Sequence, residues 1–175
     1  MTAGNLLRAG LLALLLALVL RPDWFAPLFA PLAPAGGPVI YARSSLLSLS
    51  LSHLGLVALA SAAATLVAVT LAIFVTRPVG ASFLPLSRTI TNIGQTFPPV
   101  AVLALAVPAL GFGSGPTLVA LFLYGLLPIF ENAITALSTL PPATMEAARG
   151  MGLNRWQRLW RVELPLALPV ILTGI

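Results

Sequence analysis

Four long stretches without a charged side chain divide the sequence, and the arginines, prolines and glycines between them set the predicted elements. The first stretch, Ala9 to Leu20, holds twelve residues between Arg8 and Arg21, short against the roughly 20 that a bilayer asks of a helix. Snorkelling of Arg8 and an interfacial Trp24 lengthen it, and it reads as a retained span. A cleaved signal peptide has the same outline, but no small-residue cleavage site follows closely. Residues 21–52 carry Pro22, Pro27, Pro31, Pro34 and Pro38 with Gly36 and Gly37. They read as an extracytoplasmic connection with a short interfacial helix near its end. The second stretch, Leu54 to Thr76, has 23 residues, about 34 Å as a helix. Its alanines suit close packing in lipid, Arg77-Pro78 ends it, and His53 stands at its mouth as an interfacial side chain. From Thr89 to Phe130 no charge appears for 42 residues. The turn-rich Gly111–Pro116 divides them into predicted spans 89–110 and 117–139. Pro98, Pro99 and Pro108 predict a kink in the third span.

A last apolar stretch opens at Leu164 and the chain ends at Ile175, twelve residues later. The predicted fold is therefore all-α: a polytopic transmembrane helical bundle of about four full spans and the start of a fifth, cut short at its C-terminus. Residues 1–52 form an N-terminal span with its Pro-rich segment, and 53–175 form the principal transmembrane domain.

Composition agrees. Hydrophobic residues make up 59% of the 175 and charged residues 7%, against roughly 25% charged in soluble domains, and mean hydropathy is +1.04. The net charge of +5 comes from arginine alone. These arginines flank apolar runs instead of clustering on a soluble face, so they address the bilayer and not nucleic acid. Absence of cysteine excludes disulfides and thiolate chemistry, and a single histidine excludes a multi-histidine metal site. Without lysine there is no P-loop, so any ATP and magnesium belong to another chain, and no cofactor is expected here. The spans offer no nucleophile, metal set or acid pair, and the chain is not read as an enzyme. Placing 77–88, 140–163 and the N-terminus in the cytoplasm puts seven arginines inside (Arg8, Arg77, Arg88, Arg149, Arg155, Arg158, Arg161) and two outside (Arg21, Arg43), the asymmetry of a multi-pass protein with its N-terminus in.

The segment 140–165 carries the most information. Pro141-Pro142 opens a helix, Glu146 sits near its start, and Gly150 and Gly152 end it. Asn154 with Gln157 forms a capping box for a second helix. On that helix Leu153, Trp156, Trp160 and Leu164 are predicted to share one face, with Arg155, Arg158 and Arg161 on the opposite arc. A basic amphipathic helix beside a membrane can simply hold acidic headgroups. Ala147, Ala148, Gly150 and Gly152 add a nearly side-chain-free patch that another protein's surface can approach closely.

Glu146-Ala147-Ala148, three residues, Gly152, nine residues, then Val162-x-Leu164-Pro165 resembles the EAA loop of bacterial ABC importer permeases, departing only in Val for Ile. The resemblance runs from about His53 to Ile175. Thr91–Pro99, Leu110–Gly113, Leu121–Ile129 and Glu146–Gly152 are most similar to the glycine betaine/carnitine/choline branch. One further departure is Glu131, where that branch carries a basic residue before Asn132. The resemblance implies a type I importer fold and a permease subunit for osmoprotectant uptake in the bacterial cytoplasmic membrane. Its implied partners are a separate ATPase subunit, an extracytoplasmic substrate-binding protein and a second permease subunit, identical or closely related. Glu146, Ala147, Ala148, Gly150, Gly152, Leu153 and Trp156 would form the ATPase-coupling surface. Asn92, Gln95, Glu131 and Asn132 would line the pathway or pack helices together. Other solutes (methionine, phosphonate, taurine) fit the same coupling loop, and a membrane-anchored protein whose loop binds only lipid stays open beside them.

Overall fold

Helix is the only regular structure among the described residues. The computed structural model describes residues 3–33, 37–40 and 43–175. The chain divides into two compact units, residues 1–55 and 56–175.

In the first unit, helix α1 (Ala3–Leu20) has 18 residues, about 27 Å of rise. The chain then turns by 107° into Pro22–Leu32. This part of the predicted connection is helical, not extended: a 3-10 turn at Pro22–Phe25, α2 (Ala26–Phe29) and a second 3-10 turn at Ala30–Leu32, each with a proline in its first two positions. Proline suits those positions, because its fixed φ fits the helix and its missing N–H would have had no helical partner. Pro34 and Gly36 lie outside the described residues. The predicted interfacial helix is instead the beginning of α3 (Leu46–Val75), a continuous 30-residue helix. His53 consequently lies two turns inside α3 and not at its mouth.

The second unit takes α3 from Leu56 onward and continues with α4 (Leu84–Thr96), α5 (Pro99–Leu110), α6 (Ser114–Ser138), α7 (Pro142–Gly150), α8 (Arg155–Arg158), a π-helical segment Leu159–Glu163 and α9 (Leu164–Leu172). The third predicted span is not one kinked helix: α4 and α5 meet at 93°. A residue before proline is pushed out of the helical region, and here two consecutive residues precede a proline. Phe97 and Pro98 are both extended, with ψ of 140° and 141°. Pro108, standing alone, sits inside α5 without ending it. Thus α3 and α6 are each long and apolar enough to cross a membrane, and the bent pair α4–α5 is a broken span or re-entrant element.

The core lies where α3 and α9 meet α6. Ala60, Ala64, Ala68 and Ala72 are buried at every fourth position of α3, a stripe that lets helices approach where no hydrophobic effect drives them together. Opposite stand Ile129, Phe130 and Ala133 of α6, with Ala167 and Ile171 of α9. A Cβ on Gly125 would stand 3.2 Å from that of Ala64, tighter than ordinary van der Waals contact. Large apolar side chains such as Leu66 and Leu105 point outward, as lipid-facing residues do.

Candidate functional site

Helix α7 opens behind Pro141, whose carbonyl accepts from the amides of Thr144 and Met145. Of the predicted coupling residues, Ala148 is buried, whereas Glu146, Ala147, Gly150 and Gly152 are exposed and form an outward edge. The helix closes with a Schellman turn: the Gly152 amide donates to the Arg149 carbonyl at 2.9 Å and the Leu153 amide to the Ala148 carbonyl at 3.2 Å. Gly152 has φ of 75°, the left-handed conformation that this turn needs and that side chains with a Cβ resist. Nothing stands within 4 Å of a Cβ built there. A local backbone demand therefore accounts for this glycine before any partner is considered. The predicted capping box is present: Gln157 N–H donates to Asn154 Oδ1 and Asn154 N–H to Gln157 Oε1, both at 2.9 Å.

On the second helix the two tryptophans stand on exposed surface, and the departure from the predicted faces is Arg158, which is half-buried against Glu163 instead of lying on the arginine arc. Trp156 and Trp160 are 71% and 65% exposed, and the buried positions are Leu159, Glu163, Ala167 and Ile171. The cause is the π segment. Residues five apart on an α-helix point about 140° away from each other, but the wider π turn brings Arg158 and Glu163 onto one side. There Arg158 Nε donates to Glu163 Oε1 at 3.0 Å, and Arg77 Nη2, from the loop after α3, donates to Oε2 at 2.5 Å. Burial pushes the Glu163 carboxyl upward, and the two guanidiniums more than offset it, leaving it below the ordinary carboxylate range. This triad, on the loop side of Leu164, joins the segments after α3 and before α9 at one end of the unit.

A second polar group lies between α4 and α6. Arg88 is a residue of α4 and not of the preceding loop. It holds Glu131 with two hydrogen bonds, Nε to Oε1 at 2.8 Å and Nη2 to Oε2 at 3.1 Å. Glu131 is thus bound to a neighbouring helix. Gln95 Nε2 donates to the Tyr124 carbonyl at 2.8 Å. That carbonyl lies four residues before Pro128, which has no N–H to give it, so Gln95 fills a gap that proline makes. Tyr124 Oη donates to the Phe97 carbonyl at the α4–α5 break. Asn132 Nδ2 reaches Thr173 Oγ1 at 3.4 Å, and Asn92 is exposed one turn beyond Arg88. The pairs advance along α4 as they recede along α6, so the helices are antiparallel. They run nearly backbone to backbone, because a Cβ on Gly94 would overlap the Leu123 carbonyl.

Sequence reasoning missed Arg77, Arg158 and Glu163 as a unit, and Arg88 as the partner of Glu131. The available signal was scarcity: with four acids in the chain, two of them at apolar boundaries called for arginine partners.

Residues 68–175 match the model of a family described as binding-protein-dependent transport system inner membrane component. The chain is 46% identical over 130 residues to the osmoprotectant import permease protein OsmY of Salmonella typhimurium, covering 74% of this chain and 55% of that one. It is 44% identical to OsmW of the same organism, covering 74% and 62%, and 38% identical to the glycine betaine/carnitine/choline transport system permease protein OpuCB of Bacillus subtilis, covering 63% and 54%. The chain thus spans little more than half the length of these relatives.

Proposed function

Because the chain belongs to the family of binding-protein-dependent transport system inner membrane components, we propose that it serves as a permease subunit of an ABC importer for osmoprotectants. Glycine betaine, choline, carnitine or a similar quaternary amine would be the solute, as the names of its relatives indicate. Its place is the bacterial cytoplasmic membrane, with the N-terminus inside. A soluble binding protein delivers the solute, a second permease subunit completes the pathway, and a separate ATPase binds ATP and magnesium.

The observation that carries this reading is the outward edge of α7. Glu146, Ala147, Gly150 and Gly152 are exposed beside a Schellman turn, and the Arg77–Glu163–Arg158 triad ties the helix that follows this turn to the end of α3. A push on that edge would pass along α8 to α3 and α9 through the ion cluster centred on the buried Glu163. Reconstituted with its partners in vesicles, the assembly should hydrolyse ATP faster when glycine betaine-loaded binding protein is present. Stimulation by methionine, phosphonate or taurine alone would reassign the solute and keep the coupling.

A second reading, in which the loop binds only lipid, draws on Trp156, Trp160, Arg155 and Arg161, all exposed. It requires that Glu146→Lys leave ATPase capture unchanged.

A further inference from the structure

Helix α4 buries Ser87, Thr91 and Gly94 against α6. One residue along, it presents Arg88, Asn92 and Gln95, all exposed and spaced four and three apart on one face. The Arg88 and Glu131 side chains are 51% and 37% exposed. Ionised groups at membrane depth face a bundle interior or a water-filled cavity, because lipid solvates neither them nor amides. The outward faces of α3 and α5 carry leucine and valine instead, among them Leu66, Leu105 and Val100. The polar strip of α4 is therefore a different surface from the lipid-facing ones.

We propose that Arg88 and Glu131, with Asn92 beside them, form a water-facing contact point for a zwitterionic quaternary amine, in which the solute's carboxylate takes Arg88 and its ammonium takes Glu131. The inference rests on the osmoprotectant reading above and adds the residues that recognise the solute. Without solute, each charge satisfies the other through a two-pronged guanidinium–carboxylate contact. A zwitterion supplies both partners at once, so exchange leaves no charge unpaired, which is what makes opening the pair tolerable in a membrane. Choline has an ammonium and no carboxylate, so it satisfies Glu131 and strands Arg88. The contact point thus prefers glycine betaine over choline, and Arg88 sets that preference.

The chain has no cysteine, so single thiols report on single positions. In the full importer assembly in vesicles, Asn92→Cys should react with a charged, water-soluble thiol reagent about tenfold or more faster than Leu66→Cys, since the reactive thiolate forms in water and not in lipid. Glycine betaine should slow that reaction. Arg88→Gln should weaken glycine betaine uptake far more than choline uptake. Asn92→Cys labelling as slow as Leu66→Cys overturns the water-facing strip. Fast labelling without protection, in an assembly that imports glycine betaine, overturns the contact point and leaves import standing. Equal loss of glycine betaine and choline uptake in Arg88→Gln reduces the pair to a helix clamp. Absence of any quaternary-amine uptake by the unmodified assembly overturns the osmoprotectant reading, and with it the solute assigned to the pair.

Discussion

Gly152 and Glu163 show how single residues decide the geometry of the loop. Gly152→Ala must hold a Cβ at φ of 75°, at a cost of about 1–2 kcal/mol. Gly152→Asn should lose less, since asparagine tolerates the left-handed region, and thermal unfolding in detergent orders the two. Glu163→Gln leaves Arg77 and Arg158 facing a neutral amide at a site where the glutamate is 3% exposed. It should cost about 2–4 kcal/mol, the lower part of the range applying because Arg77 is partly solvated. The pH dependence has a defined sign. A carboxyl held below its ordinary value stabilises the fold above that value, about 4.3, and the contribution is lost as pH falls through the folded one. The wild-type unfolding temperature should therefore drop below about pH 4, and Glu163→Gln should lack that component. The Arg77 partner could not be read from sequence, because Arg77 and Glu163 lie 86 residues apart and only packing brings them together.

Among the elements, those framed by charge and glycine were legible and those set by less common backbone geometry were not. The capping box at Asn154–Gln157 and the helix stop before Leu153 follow from local chemistry, and both occur as read. The paired prolines after Phe97 marked a disturbance, but its size came from two adjacent residues being driven extended, which turns a kink into a 93° break. Arg158 left its predicted arc because a 3.6-residue period was carried across Leu159–Glu163, where the helix is π. The α4–α6 contact gives a prediction at this scale. Gln95→Leu should destabilise by about 1 kcal/mol, because the Tyr124 carbonyl loses its donor. In a Pro128→Ala background, where residue 128 supplies an N–H, the same substitution should cost much less. A double-mutant cycle on thermal unfolding measures that coupling. Gly94→Val, by contrast, should separate the two helices, since even a Cβ overlaps the Leu123 carbonyl.

At the scale of the second unit, the chain ties the helix after its nearly side-chain-free loop edge to the end of α3 through an ion cluster on Glu163, and joins α4 to α6 through the Arg88–Glu131 pair. Membership of the transport family rests on residues 68–175, the part that contains both devices. On the proposed reading, an ATPase docks on the Glu146–Gly152 edge. Co-purification in mild detergent with the ATPase subunit from the same source tests it most directly, comparing wild type, Glu146→Lys and Ala147→Arg, two exposed positions whose substitution spares the core. Wild type should capture the ATPase and both variants should lose it, with their unfolding temperatures unchanged. Equal capture by all three would contradict it and place the ATPase contact elsewhere.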